Sequence, residues 1–132
     1  MYINKVIKVL KSIFYIVAFF LIIISLYPGS LLGYFFYGDT SKQPNFIPNP
    51  YGTTINHFIS YLFVSLLGLI SYMNSKDYRK IIYTLFFLCI ILEIFHLIIP
   101  NRSFQLSDLI GNILGVTVAY CLLKIYLLFN KT

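Results

Sequence analysis

The amino-acid sequence predicts an all-α integral membrane protein with four transmembrane helices and both termini in the cytoplasm. Hydrophobic residues make up 59% of the 132 residues and charged residues only 11%, which is far from the balance of a soluble fold. Long apolar runs alternate with short segments rich in charge, proline or glycine. Open strands cannot cross lipid, so each run is expected to be helical. At this length, residues 1–132 are expected to form one domain.

The first apolar run is the longest. No charged residue occurs between Ser12 and Gly38, and the first span is predicted at about 12–37. Pro28 and Gly29 are expected to end or kink this helix. A cleaved signal peptide is the competing interpretation. It is disfavoured because the run exceeds the usual length of a signal and no small-residue cleavage site stands out.

Three further spans are predicted after a polar, proline-containing loop. The loop, from Asp39 to Thr54, should be irregular and lie outside the membrane. The spans are expected at about 57–73, 81–99 and 108–129, because each run is close to the roughly 20 residues that a bilayer requires. Pro100 should stop the third helix.

The basic residues indicate the orientation. The chain has ten Lys and Arg against four Asp and Glu, a net charge of +6. These basic residues form no stripe that would suit nucleic acid, and no nucleic-acid partner is expected. One side holds only Lys42 and Arg102, whereas the other holds the rest: Lys5, Lys8, Lys11, Lys76, Arg79, Lys80, Lys124 and Lys131. The positive-inside rule then places both termini in the cytoplasm.

Polar groups that are unfavourable in hydrocarbon gather at the predicted outer side. His57 begins the second span, Glu93 and His96 lie in the outer half of the third, and Asp108 and Asn112 open the fourth. By the helical rise, Glu93 lies about 10 Å below the end of its span, so it needs a partner or a proton. The spacings Glu93/His96 and Asp108/Asn112 each put two groups on one helical face. These residues are therefore candidates for a shared site.

The sequence leaves the partner of Glu93 open. Arg102, in the outer connector, could curl back to Glu93, or it could pair with Asp108 and leave Glu93 to bond with Asn112 and His96. In both arrangements we expect Glu93, Arg102 and Asp108 to form one electrostatic unit with Glu93 as its essential member.

Structural roles remain open for several of these residues. Asp108 could only complement the positive end of the fourth helix, behind an N-cap at Ser107. His57 and Arg102 could be interfacial anchors. Tyr61 shares a face with His57 and could form a third wall of the site. Small residues recur every four positions and predict close packing of the fourth helix against a neighbour: Gly111, Gly115 and Ala119.

No metal or cofactor is predicted. Glu93 and His96 have the spacing of bundle-core di-iron sites, but these sites need further glutamates and Glu93 is the only one in the chain. A single zinc ion held by His57, Glu93, His96 and Asp108 is conceivable, although nothing in the spacing requires it. Cys89 lies mid-span without metal-type spacing, as does Cys121, and no disulfide is expected.

Four short motifs, in order, resemble the VanZ-like membrane protein family. They are His57–Tyr61 (HFISY), Glu93–His96 (EIFH), Pro100–Arg102 (PNR) and Asp108–Gly115 (DLIGNILG). The resemblance covers about residues 10–128. It implies a multi-pass protein of the bacterial cytoplasmic (inner) membrane, acting in the cell envelope and associated with low-level resistance to the glycopeptide antibiotic teicoplanin. It implies no settled biochemical activity.

The chain departs from the family pattern at two places. The family usually has Asp-Lys shortly before the histidine, where this chain has Thr53-Thr54. It commonly has glutamine at the position of His96. The outer site is therefore expected to be less charged at one corner. If the Asp-Lys pair of the family helps to bind a substrate headgroup, a different ligand or a weaker action is expected for this chain.

Three functions follow as hypotheses. The first is an envelope protein that modifies or masks a lipid-linked or surface target and so lowers sensitivity to lipoglycopeptides. The second is an intramembrane enzyme with Glu93 as acid or base, His96 or His57 as proton relay and Arg102 holding a phosphate. Its substrate site would also contain Asp108, Asn112 and Tyr61. The third is a small transporter or accessory subunit. Expected partners are membrane lipids and either a lipid-linked envelope precursor or a lipoglycopeptide; the oligomeric state is left open.

Overall fold

The computed structural model describes residues 2–48 and 50–130, and within them all regular structure is helical. The elements are α1 (Tyr2–Leu26), α2 (Leu31–Tyr37), α3 (Gly52–Tyr72), α4 (Tyr78–Phe95) and α5 (Leu106–Phe129). The all-α prediction is confirmed.

The first predicted span is two helices rather than one. α1 starts at Tyr2, well before residue 12, because a lack of charge marks the membrane span whereas lysine is compatible with a helix outside it. It ends at Leu26, just before Pro28 and Gly29, as their sequence predicts. Gly29 has φ +76°, a conformation that favours glycine. A short helix, α2, then follows the turn.

Several other helix boundaries differ from those predicted, including the start of α4 at Tyr78 rather than at residue 81. α3 begins at Gly52, so part of the predicted loop is helical. α4 ends at Phe95, before Pro100 is reached, and the chain continues through turns. α5 begins at Leu106 behind Gln105 rather than behind a Ser107 cap. The backbone N–H of Gln105, the residue before this helix, donates to the carboxylate of Glu93.

The long helices run alternately up and down, which brings one set of ends together. The C-termini of α1 and α4 meet the N-termini of α3 and α5 at what we call the polar end of the bundle. Contacts between helices fix this arrangement: His96, which follows α4, reaches Ser25 of α1, and Thr54 of α3 reaches Asp108 of α5. The opposite end of the bundle, where α3 ends at Tyr72 and α4 begins at Tyr78, is called the apolar end.

Three helical segments are long and apolar enough to cross a membrane: Lys5–Leu26, Gly52–Tyr72 and Leu106–Phe129. This agrees with a membrane protein. α4, which has 18 residues and contains Arg79, Lys80 and Glu93, is not among the three. The four-span count and the cytoplasmic termini remain predictions.

The most extensive contact between helices is that of α3 with α5. A Cβ atom added to Gly111 would lie 2.7 Å from the carbonyl oxygen of Thr54, and one added to Gly115 would lie 2.6 Å from that of Phe58. Ala119 is fully buried one turn further along. Larger side chains at the two glycines would push the helices apart, so these glycines hold the N-terminal half of α5 against α3.

Candidate polar site

Five polar side chains converge at the polar end. Glu93 and Asn112 are each 1% exposed, and His96 and Asp108 each 4%. His57 is half-buried beside them. Burial of so many ionisable groups in one place is unfavourable unless they pair with one another. The structure thus brings the predicted residues of α3, α4 and α5 together.

The carboxylate of Glu93 faces both histidines. Its Oε1 accepts a hydrogen bond of 3.1 Å from the backbone N–H of Gln105 and lies 3.3 Å from Nδ1 of His96. Its Oε2 lies 3.9 Å from Nδ1 of His57 and is buried, with no hydrogen bond from the described residues. Glu93 therefore lies between the two imidazoles.

Asp108 forms a second carboxylate–imidazole pair. Its Oδ1 accepts a hydrogen bond of 2.8 Å from the hydroxyl of Thr54, and its Oδ2 lies 3.6 Å from Nε2 of His57. Asp108 lies in the first turn of α5, but these contacts give it more than a role at the helix terminus. The contribution of Thr54 was missed from the sequence, where it stood out only as a departure from the family pattern.

Asn112 connects His57 to α4. Its Oδ1 lies 2.9 Å from Nδ1 of His57, and its Nδ2 donates to the carbonyl oxygen of Cys89 at 3.5 Å. The hydrogen bond between Asn112 and Glu93 that the sequence allowed is not formed. Both residues contact His57 instead.

Arg102 binds α1 rather than the carboxylates. Its Nε donates to the carbonyl oxygen of Tyr27 at 3.3 Å and its Nη2 to that of Ile24 at 2.9 Å. These carbonyls belong to the last turn of α1 and the residue after it, where the helix has no donors of its own. Neither direct contact that the sequence allowed for Arg102, with Glu93 or with Asp108, is formed among the described residues.

The two carboxylates still act on Arg102 through space. Burial lowers the pKa of the guanidinium, and the negative charges of Glu93 and Asp108 oppose that effect. Arginine remains charged under all ordinary conditions, so the connector places a permanent cation beside the cluster.

Two adjoining cavities lie at the polar end of the bundle. The larger has a volume of about 410 Å³ and an apolar wall formed by Leu21, Ile24, Leu32 and Phe36. The smaller, of about 120 Å³, is mainly polar and includes Thr40, Gln105 and Asp108. Both are lined by Ser30, Gln43, His57, His96 and Arg102.

Tyr61 also lines the larger cavity, as its position one turn after His57 suggested. Its ring is buried, and its hydroxyl donates to the carbonyl oxygen of Leu88 at 3.4 Å. Among the residues that the structure describes, no group of three His, Cys, Asp or Glu side chains is arranged to hold a metal ion.

Comparisons with known proteins identify the family. No curated protein and no solved structure matches the chain. The family model described as VanZ/LLP1 matches residues 12–129, which includes α2, α3, α4 and α5 and most of α1. Every motif that carried the resemblance lies inside this match. The chain belongs to the VanZ/LLP1 family.

Proposed function

We propose that this chain is a multi-pass protein of the bacterial cytoplasmic membrane in which α4 is the fourth span. Both termini would lie in the cytoplasm and the polar end at the outer surface. The distribution of basic residues supports this orientation, since Lys76, Arg79 and Lys80 follow or begin helices at the apolar end. Cysteine probes at Thr40 and Ser103 should be labelled from outside intact cells, and one at Ser75 only after permeabilisation. The reverse pattern would overturn the orientation.

At the polar end, the protein binds a lipid-linked envelope component and modifies or masks it, which lowers sensitivity to lipoglycopeptides such as teicoplanin. The observation that carries this proposal is the 410 Å³ cavity, which joins an apolar wall to His57, His96 and Arg102. Its volume lies in the range of small-molecule sites, roughly 300–1,000 Å³. An amphiphile could place its apolar chain against the apolar wall of this cavity and its polar headgroup against the polar residues.

Catalysis on that lipid-linked component is a second candidate function. The two carboxylate–imidazole pairs, Glu93 with His96 and Asp108 with His57, favour it. Such pairs supply the groups that general acid–base catalysis uses. Turnover of envelope lipid intermediates by purified, reconstituted protein would separate catalysis from simple masking of the target.

Expression in a susceptible Gram-positive host tests the principal proposal. The minimum inhibitory concentration of teicoplanin should rise more than that of vancomycin, at a verified membrane level of the protein. Comparison of envelope lipid intermediates with and without the gene, in its natural host, should reveal the species that accumulates. Equal sensitivity with and without well-inserted protein would contradict the proposal.

A further inference from the structure

We infer that the larger cavity opens sideways to the lipid bilayer and takes up the apolar chain of an amphiphile from the leaflet at the polar end, while the smaller cavity opens to water. This route deepens the proposed function and rests on it for the bilayer around the bundle. The side chains that are exposed at each cavity differ in character, and this difference carries the inference.

The exposed part of the larger cavity is apolar. A side chain that lines a cavity and is also exposed lies at its rim, whereas a buried one lies inside. Among the described residues that line the larger cavity, the exposed ones are Leu32, Phe36 and Phe46, and the two phenylalanines are 70% and 71% exposed. The polar side chains that line it, such as His57 and Arg102, are buried or half-buried. We call this apolar rim the lateral opening.

The smaller cavity has the opposite rim. Among the described residues that line it, the exposed ones are all polar: Ser41, Asn101, Ser103 and Gln105. We call this rim the aqueous opening. Five residues, none of them exposed, line both cavities and so lie between the two openings. The polar site is therefore reached from two sides whose rims differ in polarity.

The polarity of each rim indicates the solvent that it meets. Exposure of large apolar side chains to water is unfavourable, whereas the same side chains lose nothing in lipid. The neighbours of Phe36 on α2 are also exposed and aromatic: Tyr34, Phe35 and Tyr37. Aromatic residues are enriched where a membrane protein crosses the interface of the bilayer. The lateral opening therefore faces lipid, and the aqueous opening faces water.

The larger cavity also extends beside the apolar segments of α1 and α3, both of which are long enough to cross a membrane. Its lining includes Leu21, which precedes the end of α1 at Leu26, and Tyr61, which follows the start of α3 at Gly52. At a rise of about 1.5 Å per residue, these positions lie roughly 8 and 14 Å from the two helix ends. The cavity thus reaches a depth at which an apolar chain is surrounded by lipid.

Contacts of the backbone hold both sides of the lateral opening in place. A Cβ atom added to Gly33 would collide with the carbonyl oxygen of Lys42, so α2 packs closely against the loop that follows it. This loop is fastened to α3 by Asn56, whose side-chain amide donates to the carbonyl oxygen of Pro44 at 2.7 Å and accepts from the N–H of Phe46 at 3.1 Å. The opening is therefore part of the fold.

The headgroup of the amphiphile would lie at the residues that line both cavities. A chain that enters through the lateral opening leaves its headgroup beside Arg102, which is a permanent cation. The Nε and Nη2 atoms of Arg102 donate to α1, whereas Nη1 makes no hydrogen bond to the described residues. An anionic headgroup suits this position. It would also face the aqueous opening, through which water or a water-soluble reactant can reach it.

Tryptophan fluorescence tests the two openings directly, because the sequence contains no tryptophan. Phe36→Trp and Phe46→Trp each place a single indole at the lateral opening, and Ser103→Trp places one at the aqueous opening. The full chain is reconstituted in phosphatidylcholine nanodiscs, in which the lipid is either unmodified or brominated on its acyl chains. Iodide is the quencher in water. Leu114→Trp, on the exposed side of α5, is the reference for contact with lipid.

The two rims should respond in opposite ways. Brominated lipid should quench Phe36→Trp and Phe46→Trp nearly as strongly as Leu114→Trp, and iodide should quench them weakly. Ser103→Trp should be quenched by iodide and weakly by brominated lipid. Stronger quenching by iodide than by brominated lipid at Phe36→Trp or Phe46→Trp would overturn the lateral opening. Stronger quenching by brominated lipid at Ser103→Trp would overturn the aqueous one.

Occupation of the larger cavity by a chain is measured from its apolar wall. Leu21→Trp places the single indole there. The probe is dodecyl phosphate brominated at the end of its chain, added to nanodiscs of ordinary phosphatidylcholine. Quenching should saturate as the mole fraction of the probe rises, and unbrominated dodecyl phosphate should relieve it. Quenching that only rises in proportion to the probe, with no relief by the competitor, would show simple partition into the bilayer and overturn the inference.

A pair of matched variants, each made in the Leu21→Trp chain, locates the bound probe. Ser60 is half-buried and lines only the larger cavity, so Ser60→Phe places a ring in the space that the chain would occupy. Ser107→Phe adds the same ring at an exposed position that lines neither cavity. Saturable quenching should be lost in Ser60→Phe and kept in Ser107→Phe, at equal thermal unfolding midpoints. Saturable quenching that persists in Ser60→Phe would place the chain outside the cavity and overturn the inference.

The lateral route and the proposed function can fail separately. Quenching by lipid at the lateral opening and saturable binding of the probe, in a protein that confers no teicoplanin tolerance, would leave the route intact and overturn the function. Quenching of Phe36→Trp by iodide rather than by lipid, in a protein that does confer tolerance, would overturn the route alone.

Discussion

The two ends of this helical bundle treat polar groups in different ways. At the apolar end a hydrogen bond of 2.7 Å joins the hydroxyls of Tyr15 and Tyr72, and the ammonium of Lys11 lies 4.2 Å from the centre of the Tyr72 ring. Each of these contacts joins two neighbouring helices, α1 and α3. At the polar end, ionisable side chains from α3, α4 and α5 lie within 4 Å of one another, and the carboxylates of Glu93 and Asp108 are almost fully buried.

This difference distinguishes a contact that only holds helices together from a functional site. A tyrosine pair adds one hydrogen bond at the edge of an apolar core and introduces no charge. A carboxylate that is buried in a membrane protein loses its hydration, which is unfavourable. Apolar residues of similar size would pack the same helices without this cost. The polar end therefore contains more charge than packing requires.

The largest effect is expected where α5 touches α3. In Gly115→Leu, the new Cβ would meet the Phe58 carbonyl oxygen, which is backbone and cannot move aside. Overpacking of this kind destabilises by about 1–3 kcal/mol or more. The thermal unfolding midpoint in detergent should fall strongly. Leu114→Ile, on the exposed side of α5, is the matched control and should change it little.

A loss of activity without loss of fold is expected for Glu93→Gln. Glutamine keeps the size of the side chain and can still accept from Gln105, so membrane insertion should persist. The histidines lose a negative neighbour, and teicoplanin tolerance should fall to that of the empty vector. Asp39→Asn, an exposed acid, should retain full tolerance at the same membrane abundance. Full tolerance in Glu93→Gln would show the cluster to be structural.

The sequence revealed the polar end through local signals. Glu93 stands out as a carboxylate within an apolar run, and Asp108 and Asn112 as polar residues at the start of another. The partners of Arg102 and His96 could not be found in the same way, because they are backbone carbonyls that any residue could supply. Their availability depends on where α1 ends.

Most of the remaining differences between the predicted and the observed structure lie at the ends of helices. Pro100 lacks an N–H to donate and disfavours a helical conformation at the residue before it. However, α4 ends earlier, at Phe95, and His96 and the residues after it form turns. Thr54 was assigned to a loop, and only the start of α3 at Gly52 turns its hydroxyl toward Asp108. Tertiary contacts determine such boundaries, so the sequence pattern of one helix cannot predict them.

Arg102→Lys should have an intermediate effect. The guanidinium bonds to two carbonyls, of Ile24 and Tyr27, through two nitrogens, and a single ammonium cannot reproduce that fork. We expect tolerance to fall partly and stability to fall by about 1 kcal/mol, the value of an ordinary hydrogen bond. Unchanged tolerance would make Arg102 a simple interfacial anchor. The dose response to teicoplanin at matched expression measures the difference.

The smallest effects come from paired variants that remove one hydroxyl at each end. Thr54→Val removes the 2.8 Å hydrogen bond to Asp108, and Tyr72→Phe removes the 2.7 Å bond to Tyr15. Both should lower the free energy of unfolding by about 0.5–1.5 kcal/mol, since each deletes one part-buried hydrogen bond. Only Thr54→Val should also lower teicoplanin tolerance, because Asp108 then holds His57 less firmly. If both variants lower tolerance equally at equal membrane abundance, activity follows stability and the two ends do not differ in function.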